Sequence, residues 1–193
     1  TWNMTQNASA KNLWQGSEAE GNFVTDLSLN NSVIKFGHLD WNNDNELLEA
    51  QKAENFKNLY VAGNYSGDNG QLHMNVVLGK DDSATDKMIV GGDTSGTTYI
   101  NFKNIGGSGA QTAQGIKVIE VLGNSDGNFI KSNPLVGGLY EYSLVKGGNQ
   151  GTESDWYLTS YAPTTAPVYR PETGSYLGNM ALAGSMFDLR LYD

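Results

Sequence analysis

The sequence predicts an all-β fold, and three observations carry that reading. Glycine supplies 24 of 193 residues and proline only 4, so glycine runs well above its usual share of roughly 7 % and turns are many. Between the turns, apolar and polar residues alternate in short runs, the period of a half-buried strand. Charged residues make up 17 % and aromatics 10 %, and the charged share falls below the roughly 25 % of ordinary globular domains. No run approaches the about 18 apolar residues of a membrane helix. The start, TWNMTQNASAKN, has neither a basic nor an apolar leader segment and reads as that of a mature or excised fragment.

Taken in chain order, residues 1–36 read as short strands with tight turns, clearest in Val24-Thr25-Asp26-Leu27-Ser28-Leu29 and Ser32-Val33-Ile34-Lys35-Phe36, with Asn30-Asn31 between them. Residues 40–56, DWNNDNELLEAQKAENF, are polar and free of β-branched residues and read as a loop with one helical turn. Strand-like runs then recur at LYVAGNY (59–65), QLHMNVVL (71–78), KMIVGG (87–92), TTYINF (97–102) and IKVIEVLG (116–123). Periodicity alone admits a sandwich, a barrel or a β-solenoid. Two details favour the solenoid: IKVIEVL is apolar on both faces, and the bends GNYSGDNGQ, GGDTSGTT and GNSDGNF suit rungs that turn sharply and stack. LYEYSLVKGG (139–148) and DWYLTSY (155–161) read as an aromatic hairpin, the cap that a solenoid needs over its last rung.

After Tyr161 the composition changes to APTTAPVYRPETG, with three of the four prolines, an extended and semi-rigid linker. The final stretch carries Tyr176, Asn179, Met180, Leu182 and Phe187 in a segment whose apolar spacing predicts a short helix. Three parts follow: 1–55 as rungs with a polar loop, 56–162 as the solenoid end with its hairpin cap, and 163–193 as linker and helix.

Charge excludes one class of partner. Twelve basic against 21 acidic residues give a net charge of −9, a field that repels nucleic acid, and no Lys/Arg cluster offsets it. With no cysteine there is no disulfide, thiolate metal site or cysteine nucleophile, while the compartment stays open. The only histidines, His38 and His73, lie in strand-like runs without a nucleophile elbow, so they read as outward-facing strand residues. Asp81, Asp82 and Asp86 form the densest acidic group and read as solvated turn residues bonding their own backbone. Asp40 to Gln51 places oxygen ligands as a calcium loop does, but Asn45 replaces the glycine and Gln51 the bidentate glutamate, so it reads as a plain polar loop. The sequence calls for no catalytic residue, metal or cofactor.

The most concentrated feature is aromatic: Tyr140, Tyr142, Trp156, Tyr157 and Tyr161. Cross-strand aromatic pairs stabilise such ribbons, and a local hairpin with a large apolar payload can form early and template the rungs before it. Tyr140, Glu141, Tyr142, Leu144, Trp156, Tyr157 and Leu158 are therefore the expected folding nucleus and cap, acting by packing and not by chemistry.

Several motifs together resemble the C-terminal passenger region of pertactin-like autotransporters, nearest the AIDA type. They are L-x-V-x-x-N-Y-x-G at Leu59 to Gly67, D-x-x-x-T-D-K at Asp81 to Lys87, G-D-T-S-G at Gly92 to Gly96, and G-G-x-G-x-x-T-x-x-G-I at Gly106 to Ile116. The tail YRPETGSYLGNMALAGSMFDLRLYD resembles the junction leading into the outer-membrane barrel of that family. The resemblance implies a right-handed parallel β-helix ending in an autochaperone region, a non-enzymatic stem that promotes passenger folding during export to the Gram-negative cell surface, with secretion after cleavage as a further option. It implies as partners the upstream passenger rungs and the chain's own C-terminal barrel, with a host surface or self-association as further options. A self-associating or adhesive binding module is the first alternative, and a glycan-cleaving β-helix enzyme the second.

Overall fold

In the computed structural model, residues 1–4, 11–37 and 55–161 are described. All of them fall in a compact unit, Thr1–Ala162; a second unit, Pro163–Asp193, lies outside the described residues, and with it the expected linker and the helix bearing Tyr176, Asn179, Met180, Leu182 and Phe187. His38, the calcium-like run Asp40 to Gln51 and all of the polar loop 40–56 except Asn55 and Phe56 also lie outside them.

The described chain is a parallel β-helix of about three turns. Its first rung is β4 (Asn22–Val24), β5 (Leu27–Asn30) and β6 (Val33–Phe36). The second is β7 (Asn58–Val61) and β8 (Tyr65–Val76), the third β9 (Lys87–Val90) and β10 (Thr94–Asn104), and the fourth β11 (Ile116–Val121) and β12 (Asn128–Lys131). One sheet stacks β4, β7, β9 and β11 in parallel register. The other stacks β5 and β6 on β8, β8 on β10 and β10 on β12. At the front, β1 (Trp2–Met4) pairs with β6, and β2 (Lys11–Trp14) forms a separate hairpin with β3 (Ser17–Glu20).

Stacking in register puts like residues in columns. Ile34, Leu72 and Ile100 share one row and Met74 and Phe102 another, while Leu59, Met88 and Ile119 line the facing sheet; each is at most 1 % exposed. The interior is thus a continuous apolar rod between two sheets. At about 25 cal/mol per Å² of apolar surface, each added rung gains stability from its two stacked neighbours.

Two local expectations change. SGDNG is not a sharp bend between strands: β8 runs through it from Tyr65 to Val76, with Asn69 at φ 55° absorbing the kink and the register shifting opposite Thr97 and Thr98. Asparagine tolerates that left-handed conformation better than other side-chain-bearing residues. IKVIEV, read as apolar on both faces, buries one face only. Its pairing slips between Lys117 and Ile119, so a β-bulge lets Ile116, Val118, Ile119 and Val121 all turn inward, while Lys117 and Glu120 stay outward.

Candidate functional site

The fourth rung would leave a bare end without the segment after it. Strands β13 (Val136–Gly137), β14 (Tyr140–Lys146) and β15 (Trp156–Tyr161) are antiparallel: β14 pairs with β13 and β15, and β15 pairs with β11. The hairpin therefore reverses the strand direction of the sheet and stops the parallel stack, as the sequence predicts for 139–161.

Tyr142 is fully buried. Its hydroxyl accepts the Ala110 N–H at 2.9 Å and can donate to the Ala110 carbonyl at 2.9 Å or the Gly79 carbonyl at 2.8 Å. One phenol thus ties the cap to the loops that follow β8 and β10, and burial pushes its pKa up. Beside it, Ser160 accepts the Thr112 N–H at 2.7 Å, donates to the Ala110 carbonyl at 2.8 Å, and gives its own N–H to the Thr112 hydroxyl at 2.9 Å.

Trp156 continues an interior aromatic column. It meets Phe129 edge-on at 5.4 Å, and Phe129 stacks on Tyr65 at 5.7 Å. The Tyr65 hydroxyl pairs with Thr98 at 2.7 Å and burial raises its pKa to about 12, so it stays neutral. Leu158 and Tyr157 are buried, Tyr140 and Leu144 pack partly buried against the core, and Lys146 donates from its ammonium to the Ser125 carbonyl. Glu141 is exposed, in a row with Val136 and Tyr161, and Tyr157, paired with outward Lys117 and covered by Gly148 and Gly151, is buried on the outer face; the other five help to close the interior.

Two acidic groups, neither in the expected nucleus, fasten this end, and a third lies between earlier rungs. Asp81 accepts the N–H groups of Ala113, Gln114 and Gly115 at 2.9–3.0 Å. Partial burial opposes its charge, but those three donors prevail and hold its pKa below the usual carboxylate range. Asp155 is 2 % exposed, bonded to the Lys117 ammonium at 2.9 Å and to the Val121 N–H at 2.9 Å. Burial opposes the Lys117 charge, and Asp155 outweighs it, leaving the lysine pKa raised.

Asp86 corrects the sequence reading most sharply. Only 1 % exposed, it is no solvated turn residue: it accepts the N–H of Lys57 at 2.8 Å, the N–H of Asn75 at 2.6 Å and the Asn75 side-chain amide at 2.9 Å. Burial dominates and pushes its pKa up to about 7. Asp81 likewise bonds backbone more than 30 residues away instead of its own. Each was visible in a motif: Asp81 opens D-x-x-x-T-D-K, and its three donors lie in G-G-x-G-x-x-T-x-x-G-I, so two segments distant in sequence meet as one clasp. His73 is half-buried on the outer face of β8, and burial lowers its pKa, with Lys35 adding to the effect. Among the described residues no group of three or more histidines or carboxylates is placed to hold a metal ion.

The model of the family described as Autochaperone Domain Type 1 matches residues 22–144, from β4 into the middle of β14. This chain belongs to that family. An autochaperone region of AIDA-type autotransporter passengers is thus the setting of the capped β-helix, as the motifs implied. Relatives include YdeU of Escherichia coli K12, 47 % identical over 70 % of this chain and 33 % of its own length. The autotransporter adhesin AIDA-I of Escherichia coli is 47 % identical over 69 % of this chain and 11 % of its own, and the adhesin BmaC autotransporter of Brucella suis 38 % identical over 70 % and 4 %. The chain spans at most a third of the length of these relatives.

Proposed function

We propose that this autochaperone region is a non-enzymatic folding nucleus: its cap forms early and gives the rungs of a surface-displayed passenger a completed end on which to stack. The observation that carries the reading is the reach of the cap. Tyr142 and Ser160 bond the loops after β8 and β10, so forming the hairpin also fixes the turns that follow the second and third rungs. At the opposite end β4 and β5 are each paired on one side only among the described residues, leaving strand edges for further rungs. The names of the relatives AIDA-I and BmaC support placement at the surface of a Gram-negative cell, tethered to the chain's own outer-membrane barrel. Outside the cell, rung-by-rung burial supplies the free energy of folding and opposes backsliding through the pore.

The test is protease resistance of the displayed passenger in cells carrying the full-length protein with or without residues 56–162. A passenger that is exported but protease-sensitive, and regains resistance when the segment is supplied as a separate chain, is the expected result. A deleted passenger that is still resistant overturns the nucleus.

A second reading, a binding surface, is favoured by an open groove of about 500 Å³ lined by Asp26, Ser28, Asn64, Ser66, Asp93 and Ser95. Adhesion or self-association by the purified chain that is lost on substituting Ser66 and Ser95 is its signature.

A further inference from the structure

At the corner between the two sheets, one polar column runs the length of the β-helix. The Asn64 N–H donates to Asp26 Oδ1 at 2.8 Å, the Asp93 N–H to Asn64 Oδ1 at 2.8 Å, and the Asn124 N–H to Asp93 Oδ1 at 2.7 Å. The steps span 38, 29 and 31 residues, so the bonds join successive rungs whose lengths differ. Each rung gives its side-chain oxygen to the rung that follows and its N–H to the one before.

The residue before each acceptor's partner is a glycine for a steric reason. A Cβ on Gly63 would stand 2.2 Å from Asp26 Oδ1, one on Gly92 2.4 Å from Asn64 Oδ1, and one on Gly123 2.5 Å from Asp93 Oδ1. Backbone bonds align the same positions: Gly63 N–H to Thr25 O at 2.6 Å, Gly92 N–H to Gly63 O at 2.8 Å and Gly123 N–H to Gly92 O at 3.2 Å. By that alignment Thr25 occupies the glycine place in the first rung.

The apolar rod cannot set register by itself. A slip of one residue turns every side chain to the wrong face, but a slip of two keeps inward residues inward, and columns of Val, Ile, Leu and Met tolerate such exchanges of neighbour. The corner column does not, because a two-residue slip brings a residue with a Cβ over the oxygen that only glycine admits.

We propose that Asp26, Asn64 and Asp93, with the glycines that receive them, form a one-directional register lock that selects how each incoming rung seats on the rung after it. The lock begins at Asp26: Thr25 fills the seat that an earlier Asp or Asn oxygen would need, so a rung added before β4 docks by another contact. This rests on the stacking of rungs on a capped end proposed above and names what sets their register.

The chain has no cysteine, so introduced pairs carry its only thiols. Ser28 and Ser66 are register partners with hydroxyls 3.1 Å apart, inside disulfide reach, whereas Ser28 and Asp68 are two residues out of register and beyond it. Each pair is introduced as cysteines into the full chain, which is refolded from urea and oxidised, in parent, Asp26→Ala and Asp26→Asn backgrounds. The parent should cross-link Ser28/Ser66 at least tenfold more than Ser28/Asp68, Asp26→Ala should raise the off-register yield about tenfold, and Asp26→Asn should restore the parental ratio. An unchanged ratio in Asp26→Ala overturns the lock, as does loss of both cross-links, which would mean that the bond holds the first rung without choosing its register. Because oxidation follows completed refolding, the yields report the settled register and not the folding rate, and the nucleus can fail while the lock stands.

Discussion

Tyr142 and Gly79 lie 63 residues apart in the chain, and the phenol of one donates to the carbonyl of the other at 2.8 Å. The same oxygen meets both backbone groups of Ala110, so the cap residue is bonded into two earlier loops at once. Tyr142→Phe keeps the ring and strands the Ala110 N–H; an unmade buried bond of this kind costs about 1–3 kcal/mol. Tyr142→Ala also opens a cavity and should cost about 3–5 kcal/mol. Urea unfolding monitored by tryptophan fluorescence measures both.

The Lys117–Asp155 pair is asymmetric. Asp155 is sealed at 2 % exposed, whereas the Lys117 side chain is 35 % exposed and can turn to water. Lys117→Met therefore strands a buried carboxylate and should cost about 3–5 kcal/mol, while Asp155→Asn, which keeps an acceptor for the Val121 N–H, should cost less. The reverse order in urea midpoints contradicts this account of the pair.

Asp86 gives stability an unusual pH dependence. Its folded pKa near 7 stands above the roughly 3.9 of an unfolded aspartate. Between those values the native state holds a proton that the unfolded chain releases. The contribution is fully present below about pH 4 and is lost as pH rises through 7, at a slope of up to about 1.4 kcal/mol per pH unit. Asp81 acts oppositely: its lowered pKa contributes stability above about pH 4 that disappears on further acidification. Unfolding free energies of parent and Asp86→Asn from pH 4 to 8 isolate the first effect, and parallel curves for the two proteins refute it.

Gly92→Ala tests the corner by volume. Its Cβ would meet Asn64 Oδ1 at 2.4 Å and the Gly63 carbonyl at 2.7 Å, so the substitution should destabilise by about 1–3 kcal/mol or more. Gly16 has open space around its Cβ position but sits at φ 83°, so Gly16→Asn, which tolerates a positive φ, is the matched control and should cost well under half as much in thermal denaturation.

Much of this was legible in the residues. Alternation located the strands from Leu59 onward, and the crowding of Tyr140, Tyr142, Trp156 and Tyr157 located the cap, because both are local signals. What was hidden depends on contacts across rungs. Asp86 lies in GKDDSATDK, a segment that by composition is a solvated turn; its burial arises only when Lys57 and Asn75 of neighbouring segments enclose it. The corner column was equally hidden, since unequal rung lengths keep Asp26, Asn64, Asp93 and Asn124 from recurring at one spacing. The bulge that turns Val118 inward likewise belongs to the pairing of β11 with β15, not to the run IKVIEV.

The central claim, that the cap is formed before the rungs it closes, is tested most directly by comparing folding kinetics of Trp156→Phe and Tyr142→Phe with those of Ile34→Val in the first rung. The account predicts that the two cap variants slow folding by most of their stability loss, with φ well above 0.5, while Ile34→Val acts almost wholly on unfolding, with φ near zero. High φ at Ile34 with low φ at Trp156 and Tyr142 would place the nucleus at the opposite end of the β-helix and contradict it.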